Sequence, residues 1–217
     1  MIPLYHDFAG ECVLVVGGGA VGARKARRFA VEADVVVVSP GFADADFGGA
    51  ERVRSEVTPA DVPQWFDRVD PALVVAATDD GALNARVESE AKARGVLVNR
   101  TDTHGDRDSG SVVVPATVRD DPVVVSIATG GASPALSKHL RERVEDELEG
   151  AGAMAELTGA LRDDLQARGV DPERRRDVVR AVVRSPDVWT TLRTGNAKPR
   201  QLIDDVLADV APDLVNS

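Results

Sequence analysis

The run Cys12-Val13-Leu14-Val15-Val16 passes without a break into Gly17-Gly18-Gly19-Ala20-Val21-Gly22. A continuous apolar run of this length suits a strand buried on both faces, as in the middle of a parallel sheet. Glycines directly after such a strand let the backbone turn tightly, and a helical stretch from Ala20 to Glu32 opens at that turn. In this position the spacing G-x-G-x-x-G matches the phosphate cradle of a dinucleotide-binding fold. Bare backbone admits a pyrophosphate, and the helix N-terminus meets its charge. Gly17, Gly19, Ala20, Val21 and Gly22 are therefore the expected cofactor contacts of this element.

Further strands and helices follow in alternation. Val35 to Val38 reads as a second buried strand ending at Ser39-Pro40-Gly41, and Arg52 to Val57 as a third. Ala72 to Ala77 is a fourth, followed by a helix from Gly81 to Arg94, and Val96 to Asn99 is a fifth. Strands alternating with helices imply right-handed crossovers and a parallel sheet, so residues 1–110 are expected to form an α/β, Rossmann-like doubly wound domain. An acid at the end of the second strand would bind a ribose hydroxyl. Here the strand ends in Ser39, with no acid before Asp44 and no Arg close by in sequence to hold a 2′-phosphate. The pattern supports a dinucleotide without choosing NAD or NADP, and Ser39 and Pro40 are the candidates for lining the adenosine.

The rhythm then changes. Ser111 to Val118 and Pro122 to Thr129, joined by Arg119-Asp120-Asp121, read as a hairpin. Ser133-Pro134 supplies a helix cap and a proline at the first helical position, ahead of a stripe at Leu136, Leu140, Val144 and Leu148. Met154, Leu157, Leu161 and Leu165 continue it after Gly150 and Gly152; Asp171-Pro172 opens another helix and Pro199 the last. The expected organisation is the nucleotide-binding domain, a hairpin plus helix over 111–150, and a small helical domain over 151–217.

Composition excludes other classes. Across 217 residues, 36 acids against 26 bases leave a net charge of −10, which disfavours a nucleic-acid footprint. Cys12 is the one cysteine, so neither an internal disulfide nor a thiolate metal cluster can form. No apolar run approaches the roughly 20 residues of a membrane span, and the start of the chain lacks a signal pattern, so a cytoplasmic location is expected. Only Lys25, Lys92, Lys138 and Lys198 are lysines; many Asp and few Lys suit a salty cytoplasm, where screening lets like charges sit close.

Five segments give the reading more detail: Gly17 to Ala26, Ala76-Ala77-Thr78-Asp79-Asp80 with Asn84, Asn99-Arg100-Thr101-Asp102, Ser111 to Ala116, and Thr129-Gly130-Gly131-Ala132-Ser133-Pro134. In this order they resemble the siroheme synthase dehydrogenase/chelatase family over about residues 4 to 141. The resemblance implies NAD-dependent oxidation of precorrin-2 to sirohydrochlorin, in some members with ferrous iron insertion to give siroheme, and a homodimer joined through the hairpin and long helix. It places Thr78 and Asp79 at the cofactor and makes Asp102 the catalytic base. Asn99, Arg100, Thr129, Gly130, Gly131, Ser133 and Lys138 fall to the substrate. The chain ends at Ser217 with no room for the methyltransferase domain fused to some relatives, so it is expected to receive precorrin-2 from elsewhere.

The chemistry is consistent with these residue types. Oxidation removes a hydride and a proton, so NAD must be faced by the macrocycle and a base must be at hand. Asp102 follows the fifth strand at the edge where doubly wound sheets bind ligands. The substrate's rim of carboxylates calls for local cations, for which Arg100, Arg107, Lys138 and Arg141 are candidates. His104 and His139 read as polar surface residues, and no residue pattern suggests a resident metal site. Three features depart from the family: Val31-Glu32-Ala33-Asp34 lacks a turn glycine, Thr129 stands where some members carry Ser, and the loop Thr103 to Asp108 is more polar. The competing class is an NAD-sensing regulatory module without catalysis, which leaves the Thr129 segment unexplained. A short-chain oxidoreductase would need a Tyr-x-x-x-Lys pair, and the one tyrosine is Tyr5.

Overall fold

The computed structural model describes residues 3–103, 111–194, 204–205 and 207–208. The chain divides into two compact units, Met1–Val114 and Pro115–Ser217. The first carries strands β1 (Cys12–Val16), β2 (Asp34–Ser39), β3 (Glu51–Arg54), β4 (Leu73–Ala76) and β5 (Leu97–Arg100), with helices α1 (Ala20–Phe29), α2 (Val62–Val69) and α3 (Gly81–Arg94). The strands are parallel in the order β3-β2-β1-β4-β5, the expected Rossmann-like doubly wound sheet. Because β1 lies between β2 and β4, the winding reverses there, and in doubly wound sheets ligands bind beyond the C-terminal ends of the strands at such a point.

The unbroken apolar character of β1 has a direct cause. Val13 and Val15 pack with Ala23 and Ala26 of α1 on one face of the sheet. Leu14 and Val16 pack with Trp65 and Phe66 of α2 and with Leu83 and Val87 of α3 on the other. No face of this strand meets water, so alternation is lost. Helix α2 lies between Val57 and Ala72, where the sequence pattern predicts no element. It spans two turns and carries Pro63 in the first, too short for a helical period to stand out. Helix α1 stops at Phe29 rather than Glu32, with the N–H groups of Glu32 and Ala33 both donating to the Phe29 carbonyl. That turn contains no positive φ, so it needs no glycine, whereas α3 ends on Gly95 at φ 71°.

The second unit holds an antiparallel hairpin of β6 (Ala116–Asp120) and β7 (Val123–Ile127), paired from Ala116↔Ile127 to Asp120↔Val123 across a cis Asp121–Pro122 loop. Ser111 and Val112, expected at the hairpin entry, instead lie along β5: Ser111 bridges Val98 and the Val112 N–H donates to the Val98 carbonyl at 2.8 Å. Helices α4 (Pro134–Leu148), α5 (Ala151–Ala167), α6 (Pro172–Arg184) and α7 (Pro186–Thr194) follow. Helix α7, opening at Pro186, was not signalled by the sequence pattern, and the helix expected from Pro199 falls outside the described residues.

Met154, Leu157, Leu161 and Leu165 form the core stripe of α5, closed by Val178, Val182, Val188 and Leu207. The start of α5 docks on the hairpin: the Gly152 N–H donates to Asp120 Oδ2 at 3.0 Å, and a Cβ there would overlap the Asp120 and Asp121 carbonyls. Helix α4 buries none of its residues; Leu136 and Leu140 remain 47% and 36% exposed. Among the described residues no helix is long and apolar enough to cross a membrane.

Candidate active site

The glycine loop links the ends of three strands. The Gly17 N–H donates to the Val38 carbonyl at 3.0 Å, and Gly17 adopts φ 119°, where a side chain would also overlap the Ala77 carbonyl after β4. A Cβ on Gly18 would strike the Gly41 carbonyl, Ser39 and the Phe42 ring, and one on Gly22 would strike the Gly17 carbonyl. Gly19 differs: a Cβ there would meet no atom within 4 Å. Gly17, Gly18 and Gly22 thus permit close packing, and Gly19 borders open space.

Gly19 is also the N-cap of α1, which has no side-chain cap bond and no acid in its first turn. Helices α3, α4 and α6 are capped by Asp80, Ser133 and Asp171. The start of α1, with Ala20 and Val21 exposed, offers backbone N–H groups and the positive end of the helix dipole to an outside anion. A dinucleotide pyrophosphate fits this cradle. Ser39, 8% exposed, and Pro40 form its flank at the end of β2.

Beyond β4, Thr78 and Asp80 shape the next loop around a buried amide. Asn84 of α3 is fully buried; its Oδ1 accepts from the Thr78 N–H at 3.2 Å and hydroxyl at 2.8 Å, and its Nδ2 donates to the Thr78 carbonyl at 2.9 Å. Asp80 accepts from the Ala82 and Leu83 N–H groups, while Asp79 stays exposed beside them. Thr78 is thereby fixed by side chains as well as by the sheet.

Asp102 lies at the same carboxyl edge, just past β5. Arg100 Nε donates to its Oδ1 at 3.0 Å and Nη2 to its Oδ2 at 2.7 Å, a two-pronged pair, while Nη1 donates to Glu88 of α3 at 2.9 Å. The Arg100 guanidinium holds the Asp102 carboxyl below the usual aspartate range; partial burial opposes this, and a hydrogen bond with Asn84 adds to it. Arg100 itself is pushed up, first by its bonds to Asp102. Burial opposes ionisation of Glu88, but bonds from Arg100 and Lys92 outweigh it and keep that carboxyl low. The arrangement keeps Asp102 ionised and oriented. It also commits Arg100, read from sequence as a cation for the substrate, to two carboxylates of its own chain.

Asn99 supplies an unsatisfied group at this edge. It is 3% exposed and its Nδ2 donates to the Val112 carbonyl at 2.8 Å, yet its Oδ1 has no donor among the described residues. A buried acceptor without a donor costs about 1–3 kcal/mol, so a ligand N–H would be well received there.

In the second unit, the Thr129 hydroxyl lies within hydrogen-bond distance of the Ser133 carbonyl at 3.1 Å and of Ser137 Oγ at 3.0 Å, and the Ser133 N–H approaches it at 3.4 Å. Gly130 and Gly131 turn the loop at φ 63° and 84°, and Ser133 Oγ accepts from the Leu136 N–H at 3.2 Å. Lys138 is exposed and 3.8 Å from Glu142; Arg141 pairs with Glu145 at 2.5 Å, and His139 is exposed. His104 and Arg107 lie outside the described residues. Among the described residues no group of three or more His, Cys, Asp or Glu could hold a metal ion.

Sequence reasoning missed Glu88, and quoted Asn84 without giving it a role; spacing of four on α3, which puts both on one face, was the available signal. It also missed Arg54. The parallel pairing of β2 with β3 sets Arg54 opposite Ser39, so an Arg does stand at the end of β2.

Sheet order, the reversal of winding at β1 and the glycine cradle define a nucleotide-binding protein of the Rossmann-like class. Residues 4–116 match a family model described as putative NAD(P)-binding. The chain is 34% identical over 220 residues to the siroheme synthase of Stutzerimonas stutzeri (strain A1501), covering 97% of this chain and 45% of that protein. It is 31% identical over 195 residues to the precorrin-2 dehydrogenase of Methanosarcina barkeri (strain Fusaro / DSM 804), covering 87% of this chain and 85% of that protein. The chain spans about half the length of the siroheme synthases it matches. A solved structure described as SirC, precorrin-2 dehydrogenase, shares the fold with a TM-score of 0.69 at 23% identity, over 95% of this chain and 98% of that one. The chain belongs to the siroheme synthase and precorrin-2 dehydrogenase family.

Proposed function

We propose that this protein oxidises precorrin-2 to sirohydrochlorin with NAD in siroheme biosynthesis, in the cytoplasm. The observation that carries the reading is Asp102, an oriented carboxylate on the same sheet edge as the glycine cradle. Bound NAD supplies the hydride acceptor. Gly17, Gly19, Ala20, Val21 and Gly22 receive the pyrophosphate, Ser39 and Pro40 flank the adenosine, and Thr78 and Asp79 border the crevice beyond β4. Asp102 takes the proton that leaves with the hydride. Asn99 Oδ1 accepts an N–H from the bound ligands. Arg100 orients Asp102 rather than gripping the substrate directly. Thr129, Gly130, Gly131, Ser133 and Lys138 are assigned to substrate carboxylates, for which turned backbone and a helix start are suitable donors. Mixing the protein with precorrin-2 and NAD+ tests the whole: sirohydrochlorin absorbance and NADH should rise together, and nucleotide binding without conversion would favour a sensor. The same carboxylate suits removal of pyrrole protons during insertion of ferrous ion as a substrate, which an anaerobic assay with ferrous or cobaltous ion tests.

The Arg100 pairing predicts a pH effect. Asp102 must be ionised to act, and its folded-state pKa is depressed, so the pair contributes above the ordinary carboxylate pKa and is lost as pH falls through the depressed value. In Arg100→Gln the acid limb of the kcat profile should move to higher pH, since the cation is gone and Glu88 remains nearby. An unmoved limb would detach Arg100 from the base.

The protein is proposed to act as a homodimer. Helix α4 buries no residue and every residue of β7 is only half-buried, which leaves an apolar hairpin-and-helix face for a second copy. Light scattering should give twice the chain mass, and Leu136→Asp with Leu140→Asp should halve it.

A further inference from the structure

We infer that Arg54 binds a coenzyme 2′-phosphate, so that this chain takes NADP+ as well as NAD+; the inference rests on the nucleotide reading above. In doubly wound sheets the residue ending the second strand faces the adenosine ribose. An acid there bonds the 2′-hydroxyl and repels a phosphate, whereas a nearby Arg accommodates one. This chain has Ser39 at that place and no acid before Asp44. The pairing Ser39↔Arg54 brings the cation in from the next strand.

Two contacts fix its position. Arg54 Nη1 donates to the Pro40 carbonyl at 2.9 Å, anchoring the guanidinium on the loop that follows Ser39. Its central carbon lies 5.7 Å from the centre of the Phe42 ring. Phe42 and Ser39 in turn fill the space beside Gly18, and the Ala43 N–H donates to the Gly18 carbonyl at 2.8 Å, so loop and cradle are contiguous. Arg52, on the same face of β3, lies 5.8 Å from the same ring. Among the described residues neither guanidinium forms an ion pair with a carboxylate, although acids outnumber bases 36 to 26 in the chain. One of Arg54's five N–H donors is used on Pro40, and the remainder suit the paired oxygens of a phosphate.

Calorimetric titration of the whole chain with NAD+ and NADP+ tests this. The wild type should bind NADP+ at least as tightly as NAD+. Arg54→Gln should raise the ratio of the NADP+ to the NAD+ Kd about tenfold, the weight of one charge-assisted contact, and Arg54→Lys should recover part of it. A wild type that binds NAD+ but holds NADP+ tenfold more weakly, or a ratio unmoved in Arg54→Gln, overturns the inference and leaves the dehydrogenase reading intact. Failure to bind either nucleotide overturns both. If the variants do not fold, competition of 2′,5′-ADP and 5′-AMP against NAD+ on the wild type decides. The inference requires 2′,5′-ADP to be the stronger competitor, and equal competition overturns it.

Discussion

Asp102→Asn should slow precorrin-2 oxidation by about a hundredfold, within the range for loss of a general base, while the Kd for NAD+ stays within about threefold of the wild type. The side chain keeps its shape and can still bond Arg100, so the expected loss is of proton acceptance rather than of the fold. Asp102 stands beyond β5, two strands from the glycine loop after β1, and no cofactor contact of that loop depends on it. A stopped-flow record of NADH appearance separates the cases. If kcat falls little, another group takes the proton and Asp102 is a structural partner of Arg100. If affinity for NAD+ collapses with kcat, the carboxylate shapes the cleft rather than the reaction.

Gly19→Asp should separate stability from binding in opposite directions. Gly19 already has N-cap geometry at φ −72° and ψ −177°, and a side chain there meets no atom within 4 Å. An aspartate would cap α1 and favour its dipole, raising stability by about 0.5 kcal/mol. The same carboxylate would occupy and charge the space proposed for a pyrophosphate, so affinity for NAD+ should fall about a hundredfold or more, an effect of several like-charge and steric terms together. A melting curve and a titration on one sample read both. A variant that melts higher and still binds NAD+ normally would remove the pyrophosphate from this helix. The equivalent change at Gly17 would not discriminate, because a side chain there overlaps the Ala77 carbonyl and strains the backbone.

The parts of the fold visible in the sequence are those where burial is complete. β1, β2 and β4 are apolar on both faces and declare themselves as unbroken runs, with Gly17 to Gly22 marking the turn that follows. Helix α2 escaped because eight residues with an early proline give no period to read, and α7 because Pro186 follows Ser185 with almost no loop between helices. The alternation read as β3 runs on to Val57, three residues past the strand, because exposed Arg52 and Arg54 alternate as a strand should while pairing with β2 ends at Ser39. Of the candidate site, the glycine cradle was legible because it lies within one short segment, whereas Asp102 was singled out through the family resemblance, since its place after β5 by itself suits a turn aspartate. Arg54 was not, because it reaches Pro40 only through strand pairing across 14 residues. The engagement of Arg100 was hidden for a similar reason. Its second partner, Glu88, sits on a helix whose rotation relative to the sheet no local pattern reveals.

Glu88 shares the Arg100 guanidinium with Asp102 and also pairs with Lys92 at 2.9 Å. A residue of α3 is thus bonded to the same guanidinium that holds the Asp102 carboxylate. Substitution at Glu88 or Lys92 would therefore shift the acidity of Asp102 from a neighbouring helix while Asp102 and Arg100 themselves stay in place.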